Sequence, residues 1–147
     1  MIVVLDTDVW VAALRSKTGA SRLVLEFVEL GSIEAAVSPA LFCEYEAVAK
    51  RPEHLRATGM SLADVDAVLD VLAARATPVF IRYAWRPQMS DPGDELVLEC
   101  AVNGQARILL TFNLAHFVLP ASRFGIVAMR PGEFLRRWPW PEQAILH

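Results

Sequence analysis

Two rhythms of apolar residues alternate along the chain. Short apolar runs occur at Ile2–Leu5, Glu34–Val37, Pro78–Ile81, Arg107–Leu110 and Ile126–Met129, and each has the length and punctuation of a buried strand. Between them the spacing turns helical. Ser21–Leu30 places Leu23, Val24, Phe27 and Val28 on one face and stops at Gly31. Pro39–Lys50 does the same with Leu41, Phe42, Tyr45, Val48 and Ala49. Leu62–Arg75 carries Leu62, Val65, Val68, Leu69 and Leu72, with Ser61 and Asp64 placed as a capping pair. Asp94–Asn103 carries Val97, Leu98 and Ala101 and ends at Gly104. A last helix is expected over Pro131–Arg137. Arg51–Met60 reads as a loop or broken helix, and Arg82–Gly93 as a longer loop with Pro87, Pro92 and Gly93. Trp138-Pro139-Trp140-Pro141 cannot be a regular helix, and its indoles are expected to pack on the domain.

Strands alternating with helices predict an α/β fold, a mostly parallel sheet of about five strands covered on both faces. The length of 147 residues suits a single domain, 1–147, and a hydrophobic share of 54% is enough for its core. No apolar run approaches the roughly 20 residues of a membrane span, and the first residues lack the charged start of a signal peptide. The expected compartment is the cytoplasm. Cys43 and Cys100 fall within apolar helical patterns and read as buried free thiols. No Cys/His cluster has zinc-ligand spacing. A net charge of −3 excludes nucleic-acid binding by bulk charge. Such binding would need a local basic stripe or a metal ion.

Three carboxylates stand at comparable places in successive βα units. Asp6 ends the first strand, Glu44 lies on the helix after Glu34–Val37, and Asp94 opens the helix before Arg107–Leu110. The carboxyl ends of neighbouring parallel strands converge on one crevice, where three carboxylates repel one another unless a cation is present. A hard divalent ion prefers such oxygen ligands. Each acid also has an ordinary account. Asp6 can cap the following helix, and Glu44 can be a boundary charge on its helix. Asp91-Pro92-Gly93-Asp94 fits a cap at Asp91, proline at the first helical position and an acid at the third. The three acids together, rather than any one, point to a site. Around them, Ser38 can cap a helix or touch the site through its hydroxyl, and His116 can serve as an acid or a phosphate contact on a surface turn. Arg15, Lys17, Arg22, Lys50 and Arg51 can guide a phosphate-bearing ligand or simply be solvated charge.

Four segments carry a family resemblance: Val3-Val4-Leu5-Asp6-Thr7-Asp8-Val9, Ser38-Pro39-Ala40-Leu41-Phe42-Cys43-Glu44, Asp91-Pro92-Gly93-Asp94-Glu95 with Ala101 beyond, and Ile108-Leu109-Leu110-Thr111-Phe112-Asn113. In order and spacing the chain resembles the PIN-domain proteins, the group that contains metal-dependent ribonucleases and VapC-type toxins. The resemblance implies a three-layer α/β/α fold and cleavage of single-stranded RNA. It implies Mg²⁺ or Mn²⁺ held by Asp6, Glu44 and Asp94, a homodimer, and a small antitoxin partner. Two positions depart from the family pattern. Asn113 stands where a fourth acid is common, and Asp8 where asparagine is frequent. Asn113 could orient water through its amide oxygen. Asp8 could offset the missing charge, or cap a helix starting at Val9.

Two other readings remain open. Leu5-Asp6-Thr7-Asp8-Val9 also resembles the first motif of haloacid-dehalogenase-like phosphatases, with Asp6 as nucleophile. That reading leaves Glu44 unexplained and finds Asn113 where an acidic pair is needed. Asn113 also admits a PIN-like module that binds nucleic acid without cleaving it.

Overall fold

Val3, Val4 and Leu5 are sealed from solvent because the strand they form lies in the middle of a sheet. A computed structural model describes residues 1–83 and 87–138. Its elements run β1 (Ile2–Leu5), α1 (Thr7–Arg15), α2 (Ala20–Glu29), β2 (Glu34–Val37), α3 (Pro39–Ala49), α4 (Pro52–Thr58), α5 (Leu62–Arg75), β3 (Thr77–Pro78), α6 (Pro92–Asn103), β4 (Ile108–Leu110), α7 (Leu114–Ser122), β5 (Val127–Met129) and α8 (Pro131–Arg136). The strands pair in the order β3-β2-β1-β4-β5, all parallel. Helices flank this sheet in the three-layer α/β/α arrangement. β1 pairs with β2 through Val3 and Ala35 on one side, and with β4 through Leu5 and Leu110 on the other. The chain therefore leaves β1 in one direction and returns on its opposite flank. The crevice between β1 and β4 is the switch point at which open α/β sheets bind ligands.

Local chemistry accounts for the sharpest boundaries. Ser61 and Asp64 form a reciprocal capping box that starts α5. Ser38 Oγ accepts from the Leu41 N–H at 3.2 Å, and Pro39 opens α3. A β-carbon on Gly104 would stand 2.9 Å from both the Cys100 carbonyl oxygen and Val79 Cγ2, so only glycine lets the end of α6 approach the sheet this closely.

Five expectations are corrected. β3 spans Thr77–Pro78, not Pro78–Ile81. It is an edge strand, and beyond Pro78 only the Val79 N–H continues the pairing, to Val37 O at 3.1 Å. The stretch expected as a loop or broken helix contains α4, which buries no residue and ends at left-handed Gly59 (φ 73°). A short helix without an apolar stripe leaves no periodic signal. The region of the expected surface turn at His116 is α7, masked in the sequence by Pro120 inside the helix. α1 starts at Thr7, so Asp6 is its cap and Asp8 lies in its first turn. Cys43 is exposed on α3, while Cys100 is buried; both thiols are free. Trp138 stacks on Phe27 with ring centroids 5.9 Å apart, as expected for its indole. Pro139, Trp140 and Pro141 lie outside the described residues, as does the 84–86 part of the Arg82–Gly93 stretch.

Candidate functional site

The strand pairing that centres β1 brings Asp6 beside the end of β4. The Asp6 N–H donates to the Leu110 carbonyl at 2.8 Å, continuing the ladder past Leu5. The Asp6 side chain, only 4% exposed, accepts from the Thr7 N–H through Oδ1 and from Thr111 Oγ1 through Oδ2, both at 2.7 Å. Thr111 in turn accepts from the Asn113 N–H at 2.9 Å. Capping and site roles thus fall on one carboxylate.

Asp8 approaches the same crevice from the first turn of α1. Its Oδ2 accepts from the Phe112 N–H at 3.2 Å and from Asn113 Nδ2 at 3.3 Å. Its Oδ1 is buried with no hydrogen-bond partner. Burial, followed by the charge of Asp8, raises the Asp6 pKa from 3.8 to about 7. Burial also raises the Asp8 pKa. A buried carboxylate beside a half-buried one is stabilised by a proton or a cation between them.

Glu44 reaches the crevice because α3 is fastened to β1 through its neighbour. The Tyr45 hydroxyl donates to the Leu5 carbonyl at 2.5 Å, and Trp10 Nε1 donates to the Tyr45 carbonyl at 3.1 Å. The two rings stack at 5.2 Å. These contacts set the register of α3 next to the strand end that carries Asp6. Asp94 comes from the first turn of α6, whose cap is Asp91; Asp91 Oδ1 accepts from Gly93 N at 2.7 Å and Asp94 N at 3.4 Å. The Asp94 side chain is 14% exposed, and its Oδ2 lies 3.1 Å from His116 Nδ1.

Asp6, Asp8, Glu44, Asp91, Asp94 and Asn113 all line one cavity of about 780 Å³. Arg15, Arg51, His54 and Phe112 line it too. Ser38 does not: it faces an apolar groove with Phe42 and Phe80, and its hydroxyl serves the helix cap. His116 borders a neighbouring hollow that shares Asp94. Lys50 is turned away from the acids by ion pairs to Glu46 (3.0 Å) and Asp66 (2.6 Å), and Arg22 is paired with Glu26. Thr111, His54 and Phe112 had no role predicted from the sequence; His54 and Phe112 line the cavity, and Thr111 reaches the site through its hydrogen bond to Asp6. Thr111, the partner of Asp6, was legible only as the strand end opposite it. His54 had no signal, because α4 was not evident, and Phe112 had none beyond its motif.

Among the described residues, no group of three acidic, histidine or cysteine side chains is arranged to hold a metal ion. That does not exclude a hard cation on chemical grounds. Mg²⁺ is commonly held by one or two carboxylates and otherwise by water. The orphaned Asp8 oxygen, and the burial and, after it, the repulsion from Asp8 that raise Asp6, are what such an ion would relieve. The donor set therefore fits a divalent cation.

A parallel α/β/α sheet with an acid-lined crevice at its switch point defines the class. Within it, residues 2–115 match the family model of the PIN domain, and the chain belongs to the PIN-domain family. Membership sets aside the phosphatase reading of Asp6. The fold is similar to the crystal structure of VapBC2 from Rickettsia felis bound to a DNA fragment from their promoter. The TM-score is 0.56 at 16% identity, covering 88% of this chain and 98% of that one. A search of curated proteins found no match.

Proposed function

We propose that the chain is a metal-dependent endoribonuclease that cleaves single-stranded RNA and acts as the toxin of a toxin–antitoxin pair. The observation that carries this reading is the buried Asp6 carboxylate at the β1/β4 crevice with half-buried Asp8 beside it, and Glu44 and Asp94 lining the same cavity. Asp6, Glu44 and Asp94 would hold Mg²⁺ or Mn²⁺, directly or through water. Such an ion, when bound, supplies Lewis acidity toward a phosphodiester oxygen and makes a water more acidic.

The chain's own residues do the rest. Thr111 fixes the rotamer of Asp6 by donating to Oδ2. The Tyr45–Leu5 hydrogen bond fixes the distance between the strand end and the Glu44 helix. Arg15 and Arg51, which make no ion pair among the described residues, line the cavity and offer positive charge to an RNA backbone despite the net charge of −3. Phe112 offers an apolar ring at the same cavity.

The fold likeness to VapBC2 supports a small antitoxin as partner, and the same reading carries a homodimer, a cytoplasmic location and one domain over residues 1–147. Among the described residues, no helix is long and apolar enough to cross a membrane.

The test is cleavage of labelled single-stranded RNA by the purified chain. Fragments are expected with Mn²⁺ and not with chelator, and far more slowly from Asp6→Asn. Fragments that persist in chelator, or that Asp6→Asn releases at the unaltered rate, overturn the mechanism. RNA binding with Mn²⁺ uptake but no cleavage would instead identify a binding module.

A further inference from the structure

We propose that Asp8 supplies the fourth carboxylate of the crevice, with Asn113 as its positioning residue; the inference rests on the cation-binding reading above. The turn between β4 and α7 directs two donors at one oxygen: the Phe112 N–H and Asn113 Nδ2 both reach Asp8 Oδ2, at 3.2 and 3.3 Å. Facing an acceptor-only carboxylate, the amide presents its nitrogen. Asn113 is thus engaged as a donor to Asp8, and its backbone N–H is engaged by Thr111. Holding Oδ2 orients the other oxygen. Oδ1 is buried, has no donor, and belongs to a side chain that lines the cavity with Asp6, Glu44 and Asp94. A buried carboxylate oxygen beside a second carboxylate is satisfied by a shared proton or by a cation, and by the cation when both acids are ionised.

The pairing also explains why residue 113 is an amide. An acid there would stand against Asp8 at hydrogen-bonding distance and repel it, whereas an amide attracts it. The number of acids facing the cavity centre is kept, but one of them sits on the first turn of α1 instead of after β4. The asparagine after β4 is then a consequence of Asp8 rather than a defect of the site.

The experiment compares the full chain with Asp8→Asn, Asn113→Asp and the double exchange Asp8→Asn/Asn113→Asp. It measures Mn²⁺ affinity by calorimetry and melting temperature with and without Mn²⁺. Asp8→Asn keeps the shape of the side chain and an acceptor for the Phe112 N–H. It is expected to weaken Mn²⁺ binding about 10- to 100-fold without lowering the metal-free melting temperature. A purely structural role for Asp8 predicts the opposite, a lower metal-free melting temperature with unchanged affinity, and overturns the proposal. Asn113→Asp alone is expected to lower the metal-free melting temperature by adding a facing charge. The double exchange should recover most of the lost affinity. If it binds no more tightly than Asp8→Asn, the proposal fails. Absence of Mn²⁺ binding by the unaltered chain would overturn the proposed function and this inference together; binding that ignores Asp8 overturns this inference alone.

Discussion

The floor and the rim of the acidic cavity are built in different ways. At the floor, Asp6 is almost fully buried, held by the Thr7 N–H and the Thr111 hydroxyl, and crowded by Asp8. At the rim, Glu44 and Asp94 project from helices, more open to solvent, and the one described partner is His116 on Asp94. The floor is preorganised by strand pairing and stores electrostatic repulsion. The rim is adaptable, since its side chains can reorient toward a ligand at little cost. A site assembled this way concentrates its cost in stability on the floor and leaves the rim free to adjust to substrate. Removing an acid from the floor and removing one from the rim should therefore have different consequences for stability but similar ones for cleavage.

The largest expected effect is on cleavage. Asp6→Asn should slow Mn²⁺-dependent RNA cleavage by about 100- to 1,000-fold, and Glu44→Gln should be comparably damaging. The stabilities should part company. At pH 8 without metal, Asp6→Asn should raise the melting temperature by about 3 °C or more by removing a buried charge. Glu44→Gln should leave stability within about 0.5 kcal/mol, as for a partly exposed side chain. Equal shifts in the two melting curves would break the comparison.

Thr111→Val comes next. It keeps the volume but removes the donor to Asp6 Oδ2 and the acceptor for the Asn113 N–H. A loss of about 1–3 kcal/mol in denaturant unfolding is expected. Because the hydroxyl holds the Asp6 pKa down, the proton on Asp6 should also become harder to remove. Unchanged stability would show that the floor is not held as described.

Proton linkage is the third probe. In the folded chain Asp6 keeps its proton up to about pH 7, whereas an unfolded aspartate loses it near about pH 4. Between those values the folded state binds more protons, so stability falls as pH rises through the window. Asp8, also raised by burial, contributes in the same direction. Melting curves in chelator should show this decline, Asp6→Asn should flatten it, and Mn²⁺ should counter it above pH 7. A decline that Asp6→Asn leaves untouched would assign it to other groups.

The smallest effect belongs to the rim. His116→Ala removes an exposed contact to Asp94 and is expected to change cleavage by less than about fivefold. A much larger loss in a kinetic assay would move His116 from the rim into the chemistry.

Legibility in the sequence followed the same division between buried and exposed. β1, β2 and α5 have the boundaries their patterns predicted, because continuous burial and a reciprocal cap are written in adjacent residues. β3, α4 and α7 were misjudged or missed. An edge strand, a helix with no buried residue and a helix containing Pro120 lack the periodicity by which elements are recognised. Of the acids, Asp6, Glu44 and Asp94 could be proposed from their places in successive βα units, because parallel strands end on a common side. Ser38 looked equally well placed, yet its hydroxyl is used by its own helix and it lines another groove. Side-chain direction on a helix depends on how the helix is docked, and in α3 that docking is set by Tyr45 and Trp10.

By itself the sequence determined the alternation of strands and helices, the position of an acid at the end of a buried strand, and the family pattern that includes it. Those properties depend on neighbours along the chain. Only the tertiary structure decided that Thr111 and Asp6 share a hydrogen bond across 105 residues, that Asp8 faces inward, and that the Asn113 amide turns its nitrogen to Asp8. Those are relations between strand ends brought together by sheet pairing, and no local pattern encodes a contact whose two sides are set by different strands.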